Sequence, residues 1–570
     1  MKTSQLETVI SPVSTPAVHV HAKTYLVLAA VNFVFFGQLF AVAGAGLMAQ
    51  SISALFEAPG QAIWCVAVGN IMTAALGPPL CQIADFWGRK LPLVIGGICG
   101  VTGAIVVSRA QNMATVIAGF SILGVSYGSQ PLTFAIVSEI LPRKHRPLAQ
   151  GTLNVTSSLG AISGTCIGGA LLRRGNLENY RIYLYILAGI YFGSTITLVL
   201  FYTPPPRQEE KTQTGRQKLS TLDWIGYILF APGLCLFCMA LAWSHQPYSW
   251  DNVHILATFI IGIALLFFFC LYEWLWKKDG IMHHGLFARR DFAISLINVA
   301  VEGFTFFAIN YYYAFEVSVF IGADLFISGL HYGVMFAVAL VATAASSAYS
   351  TRLKALRSPT IVGFVINLIF SICMATSTPR TKHGAFWGFP ALFGAAVGLV
   401  LPTIMVSAQL ATDAELISIT SGLIIGVRSL GGVIGLAIMN AVSQEAWIEN
   451  IPHKVAAAVL PLGFPASSLE PLLGALTTNN QKALLSIPGV TPEMVGVAIS
   501  ALREGYSIGF RNVWITTSCF TTIAIAASFF LHDPKAHFNA HIDAPVEKSL
   551  VEQQELIEHR DIKNSSSSVV

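Results

Sequence analysis

The sequence predicts an all-α integral membrane protein, and three observations carry that expectation. Of its 570 residues 54% are hydrophobic and only 11% charged, under half the roughly 25% of a soluble chain. No Asp, Glu, Lys or Arg lies between Lys23 and Glu57, or between Arg511 and Asp533, and each run exceeds the roughly 20 apolar residues a helix needs to cross hydrocarbon. The alternation of about ten residues expected of a membrane β-barrel is absent.

Taken in order, apolar windows bounded by charged or Pro/Gly-rich breaks predict fourteen spans, at 24–47, 61–82, 91–109, 114–137, 148–171, 182–203, 222–243, 253–275, 292–314, 326–348, 359–378, 386–410, 416–441 and 512–531. The first 23 residues are polar and lack the basic start and short apolar core of a secretory signal, so the first helix is expected to stay as an anchor. Lys and Arg set the direction. The two tails and the loops after even-numbered spans hold 22 of the 33, which by the positive-inside bias puts both termini in the cytoplasm. A cell-membrane location is expected, with the vacuolar membrane left open. Residues 443–510 then form an outer loop, with "SIPGVTPEMVGVAISALREGY" as short amphipathic helices, and the tail from about 533 to 570 is expected to be disordered.

Other classes receive little support. The net charge of +4 is spread over short loops, not gathered on one face, so no nucleic-acid partner is expected. All nine cysteines fall within predicted spans, and "CLFC" at 235–238 has no second pair or His to complete a metal site. The histidines form no boxes that would mark a membrane enzyme, and "HH" at 283–284 stands alone. No enzyme activity, metal or cofactor is therefore expected. Asn154 and Asn564 match the glycosylation pattern by chance, one inside a span and one in a cytoplasmic tail.

Three motifs lie in or beside the spans. "CQIADFWGRKLPLV" after span 2 needs Gly88 for a tight turn and offers Asp85 to a basic neighbour among Arg89 and Lys90. Span 5 carries a ridge of Gly151, Gly160, Gly164, Gly168 and Gly169, suited to the close helix approach that lipid-embedded packing favours. "SEILPRKHRP" follows span 4. The first resembles the cytoplasmic loop signature of the major facilitator superfamily, matched by Asp85, Gly88, Arg89 and Lys90, with Cys81 in place of the leading Gly. The second is similar to the antiporter motif of drug-exporting facilitators, with Thr165 where that family has Pro. The third resembles the family's linker through Glu139, Pro142 and Arg146. The Arg that many drug:proton antiporters carry in span 4 is Phe120 here.

"LDWIGYILFAPGLCLFCMALAW", "YYYAFEVSVF", "GVRSLGGVIGLAIMNAV" and "SIPGVT" look like the fungal trichothecene efflux pump family, a likeness running from about residue 24 to 531. It implies the major facilitator fold: a tail at 1–23, a six-helix bundle at 24–203, a cytoplasmic loop at 204–221, two linking helices at 222–276, a second loop at 277–291, a second bundle at 292–531, and a tail at 532–570. It also implies export of a small, largely apolar secondary metabolite, toxin or drug, driven by the proton gradient, from a chain that works as a monomer in the bilayer. Siderophore carriers share the helix count, so import with iron-bearing cargo is the alternative.

Two charges sit near the centres of spans, Glu302 eleventh in span 9 and Arg428 thirteenth in span 13. A charge at mid-bilayer costs roughly 2.5–3.5 kcal/mol on insertion scales and usually pairs or faces a cavity. The resemblance makes these helices neighbours, so a Glu302–Arg428 pair is expected. Arg does not deprotonate in proteins, which leaves Glu302 to carry a proton. A fixed salt bridge, or no contact, are the other outcomes. Asn32, Gln38, Tyr127, Gln130, Asn298 and Asn310 are candidates for the cavity wall, and His331 for a second titratable group. The rings of "EGFTFFAINYYY" are expected to face lipid or the interface belt. Span 1 has no Asp or Glu, which favours neutral or weakly anionic cargo.

Overall fold

The computed structural model describes residues 22–546, apart from 59–60, 174–175, 206–213, 244–251, 278–279, 323–324, 478–483, 485–486 and 488–489. The expected tail at 1–23 thus lies almost wholly outside the described residues, as does 547–570. Among the described residues there is no strand, and fourteen helical segments have 19 residues or more, counting Met113–Glu139 as one. They are α1 (Ala22–Leu55), α2 (Trp64–Trp87), α3 (Lys90–Ser108), α4 (Met113–Glu139), α5 (Arg146–Leu172), α6 (Tyr180–Phe201) and α7 (Trp224–Trp243). The others are α8 (Val253–Leu275), α9 (Arg290–Ile321), α10 (Leu325–Leu353), α11 (Arg357–Ala375), α12 (Ala385–Leu410), α13 (Ile417–Val459) and α14 (Pro492–Ser528). A turn at Ser129, just before Pro131, breaks α4.

Thirteen of these helices are long and apolar enough to cross a membrane, so the expected count of fourteen is not reached on that measure. The helix left out is α14. Its second half carries Thr516, Thr517, Ser518, Thr521 and Thr522, and each hydroxyl donates to the carbonyl four residues back at 2.8–2.9 Å. Such back-bonding satisfies hydroxyls within the helix, which is what an apolar surrounding demands.

Helices α1–α6 pack on one another, as do α9–α14, and the two groups meet chiefly where α2 crosses α13 and α5 crosses α10. The α7–α8 pair lies to one side, with α7 on α2. Its outer helix α8 exposes Val253, Ile260, Ile261, Phe267 and Phe268, side chains that acyl chains cover. The glycines of α5 meet α1: Cβ atoms on Gly160 and Gly164 would press on the carbonyls of Phe36 and Phe40, while one on Gly151 would strike Ser347 of α10. With Thr165 in place of Pro, α5 runs unbroken through Leu172.

Two expectations need correction. Residues 443–510 are largely helical: α13 continues past Pro452 to Val459, and α14 starts at Pro492, with a short helix at Leu469–Thr477 between them. The tail is not free through its first part either, because residues 532–546 pack against the body, with Ile542 and Val546 buried.

Candidate functional site

Where α9 and α13 cross, glycine lets backbone meet backbone. A Cβ on Gly303 would collide with the carbonyl of Arg428, and one on Gly431 with that of Ala300. This approach brings Arg428 to Glu302 in a two-pronged pair, Nε to Oε2 at 2.5 Å and a terminal nitrogen to Oε1 at 2.9 Å. Both are buried, 9% and 3% exposed. The guanidinium also lies over the rings of Phe306, at 4.6 Å, and Phe307, at 5.7 Å. Charge, hydrogen bonds and ring faces thus replace the water that a buried Arg loses.

Above this layer, toward the end of the bundle away from the loop motif, opens a cavity of about 950 Å³. Phe307, Tyr311, Phe315, Tyr332, Trp447 and Tyr506 supply aromatic wall, and Gln50, Asn310, Asn440, Gln444, Ser318 and Ser328 supply amides and hydroxyls. Among its described lining residues Glu470 is the only charged one. Phe307 both lines the cavity and touches the guanidinium, so a single ring separates the large cavity from the ion pair. Two small cavities of about 40 and 30 Å³ flank Arg428, each roomy enough for a water.

The candidate residues fall differently from the sequence expectation. Asn310 lines the large cavity. Gln38, Tyr127 and Gln130 line a small one beside Arg428, where the Gln38 amide donates to the Ser126 carbonyl at 2.7 Å. Asn32 is taken up between α1 and α5, donating to Leu28 O at 2.7 Å and Thr152 Oγ1 at 3.2 Å, and lines none of these cavities. Asn298 is wholly buried one turn from Glu302 and lines none of them either. His331 turns away: its ring stacks on Trp387 of α12, 3.8 Å between centroids, and Nδ1 meets Ile327 O at 2.9 Å. Its neighbours Ser328 and Tyr332 face the cavity instead. The rings of 302–313 are not lipid-facing, since Phe304, Phe306, Phe307, Tyr312 and Tyr313 are all buried.

The residues missed are Asn440, Gln444, Trp447 and Ile451, one stripe of α13, together with Tyr506 of α14. A three-to-four-residue spacing running past residue 441 was the signal available. Because burying one large ring is worth about 1.5–3 kcal/mol, Trp447→Ala should weaken the binding of a ligand that stacks in this cavity by about tenfold or more. A matching loss for ligands of every shape, read by equilibrium binding, would count against ring contact.

At the other end, Gly88 has φ 80° and turns the chain into α3. Arg89 pairs with Asp85 at 3.5 Å and closely with Glu139, while Lys90 reaches Val199 O at 2.8 Å. Arg146 donates to Ser138 O at 3.3 Å and to Gln409 O of α12 at 3.1 Å. With Ser138 bonded to the Gln409 side chain at 2.6 Å and Ser418 to Cys81 O at 3.3 Å, the two helix groups are closed here. Pro142 starts the turn between Glu139 and Arg146 with extended backbone, φ −53° and ψ 140°.

A family model described as fungal trichothecene efflux pump matches residues 10–569. The chain belongs to the fungal trichothecene efflux pump family. Within the curated relatives, trichothecene efflux pump TRI12 of Fusarium sporotrichioides is 25% identical over 471 residues, covering 81% of this chain and 78% of its own. MFS-type transporter pigP of Monascus ruber is 23% identical, over 86% and 87% of the two chains. The major facilitator fold is shared with the proton:xylose symporter XylE, TM-score 0.54 at 13% identity, over 90% of this chain and 96% of that one. The human organic anion transporter MFSD10 gives TM-score 0.53 at 13% identity, over 89% and 99%. This trichothecene-pump family member is a multi-pass membrane transporter.

Proposed function

We propose that the protein exports a small, uncharged, largely apolar metabolite, toxin or drug from the cytoplasm by proton-driven alternating access. The observation that carries this reading is the aromatic and amide-lined cavity, open at one end, set one ring away from a buried acid–base pair. Rings and methyl groups of cargo replace water against the walls, and the amides take its oxygens. The scarcity of charge on the wall favours neutral cargo. With the loop-motif end cytoplasmic, as the basic loops suggest, the open end faces outward and the cavity stands in its releasing state.

Glu302 is the proton carrier in this reading. Its carboxylate holds both prongs of the Arg428 guanidinium. A proton arriving from the outer side neutralises it, frees the guanidinium, and lets the α9–α13 crossing shift as the bundle rocks. Loss of that proton to the cytoplasm resets the pair. Gln38, Gln130 and water in the two small cavities supply the hydrogen bonds that Arg428 needs meanwhile.

Metabolite profiling of cells lacking the protein tests the cargo and direction together: one apolar compound should accumulate inside. Flux into vesicles, with and without an uncoupler, tests the energy source, and uphill transport should vanish with the uncoupler. A compound that instead becomes depleted inside the deleted cells would reverse the direction.

A further inference from the structure

Past α14 the described residues, up to 546, stay on the body. Asp533 accepts the N–H groups of Leu356 and Arg357 at the start of α11, at 2.6 and 2.9 Å, and the His532 N–H donates to Asp291 at 3.1 Å. Phe538 is buried against Leu356, Val406 and Leu410. All of these anchors belong to the α9–α14 group. The next residues fasten to the other group, at the turn between α4 and α5. Lys144 N–H donates to Asn539 O at 2.9 Å, Arg143 N–H to His541 O at 2.9 Å, and Ala544 N–H to Glu139 O at 3.0 Å. The Asp543 carboxylate takes the Arg143 guanidinium at 2.6 and 3.0 Å and also that of Arg146. Arg146 in turn holds the Gln409 carbonyl across the interface.

Phe538 and Asn539 are consecutive, so their Cα atoms are 3.8 Å apart, yet each is fixed to a different helix group. No slack remains between the anchors. We propose that residues 532–546 form a strap that fastens the two helix groups together at the loop-motif end, and that it detaches whenever that end opens. The strap makes the closed state of this end depend on a segment outside the helical bundle. It rests on the alternating-access reading above. Acid does not release it through Asp543. Burial pushes that carboxyl up, but the hydrogen bond from Arg143 and the charges of Arg146 and Arg143 outweigh burial and hold it below its ordinary 3.8. Its contribution is therefore present above that pH and lost only as pH falls below it.

Cys81 provides a readout that needs no cargo. It is fully buried where α2 meets Ser418 and Gly422 of α13, so an opening at this end exposes it. In the full chain with the other eight cysteines replaced, N-ethylmaleimide should modify Cys81 slowly, quantified by peptide mass spectrometry. Asp543→Ala and Phe538→Ala, which cut opposite anchors, should each raise that rate at least fivefold. Should either variant aggregate, Ile140→Cys with Ala544→Cys keeps the question answerable: oxidation to the cross-link should slow Cys81 modification at least fivefold against the same chain after reduction. Rates unchanged by both cuts, or by the cross-link, overturn the strap while leaving alternating access standing. A Cys81 that never reacts in any form overturns both.

Discussion

Glu302→Gln should abolish uphill, uncoupler-sensitive transport but leave downhill flux of the same cargo measurable. Gln keeps the shape and one acceptor for Arg428 yet carries no charge and binds no proton. Arg428→Ala is expected to be worse, because removing one partner of a buried pair strands the other at a cost of about 3–5 kcal/mol, so yield and melting temperature should fall with activity. Exchanging the two residues, Glu302→Arg with Arg428→Glu, should recover part of the transport lost by either single change. Equal damage in single and double variants would mean that the contact seen at 2.5 and 2.9 Å has no energetic consequence. Uphill transport that survives Glu302→Gln would reduce the pair to a fixed strut.

Gly431→Val should abolish transport with both charges intact. A side chain there meets the Ala300 carbonyl, which is backbone and cannot rotate aside, so α9 and α13 must separate. Overpacking typically costs about 1–3 kcal/mol, but the larger consequence is geometric. The prongs of the ion pair need the crossing to stay tight, and an added ångström lengthens both hydrogen bonds beyond use. Melting temperature, with transport measured alongside, checks this. A variant with normal transport would show that the crossing has room. Gly384, whose Cβ would meet nothing within 4 Å, provides the matched control.

The ion pair was legible because hydropathy places Glu302 and Arg428 at similar depth and the family likeness makes their helices neighbours. Other features were hidden for identifiable reasons. Glu445, Glu449, Lys454, Arg503 and Glu504 interrupt the apolar windows, yet a helix continuing into water needs no apolar window, so hydropathy alone reads the far ends of α13 and α14 as an outer loop. His331 shares its helix with Ser328 and Tyr332 but points the other way, a rotation that spacing alone does not fix when the whole helix is apolar. Glu316 fell outside the expected span. It is fully buried and accepts hydrogen bonds from Trp514, at 2.6 Å, and from Ser377, joining α9 to α14. Docking of the tail depends on partners 400 positions apart, Arg143 and Asp543, which no local pattern encodes.

The length of α13 bears on where cargo is set down. Its 43 residues rise roughly 65 Å at 1.5 Å each, about twice the hydrocarbon thickness of a bilayer. Trp447 and Ile451 stand on its far stretch, roughly 28 Å or more along the helix from Arg428, so with the ion pair at mid-bilayer the mouth of the cavity would stand above the headgroups. An apolar molecule exported as proposed would then enter water first, with the lipid leaflet it would otherwise dissolve back into lying below the outlet.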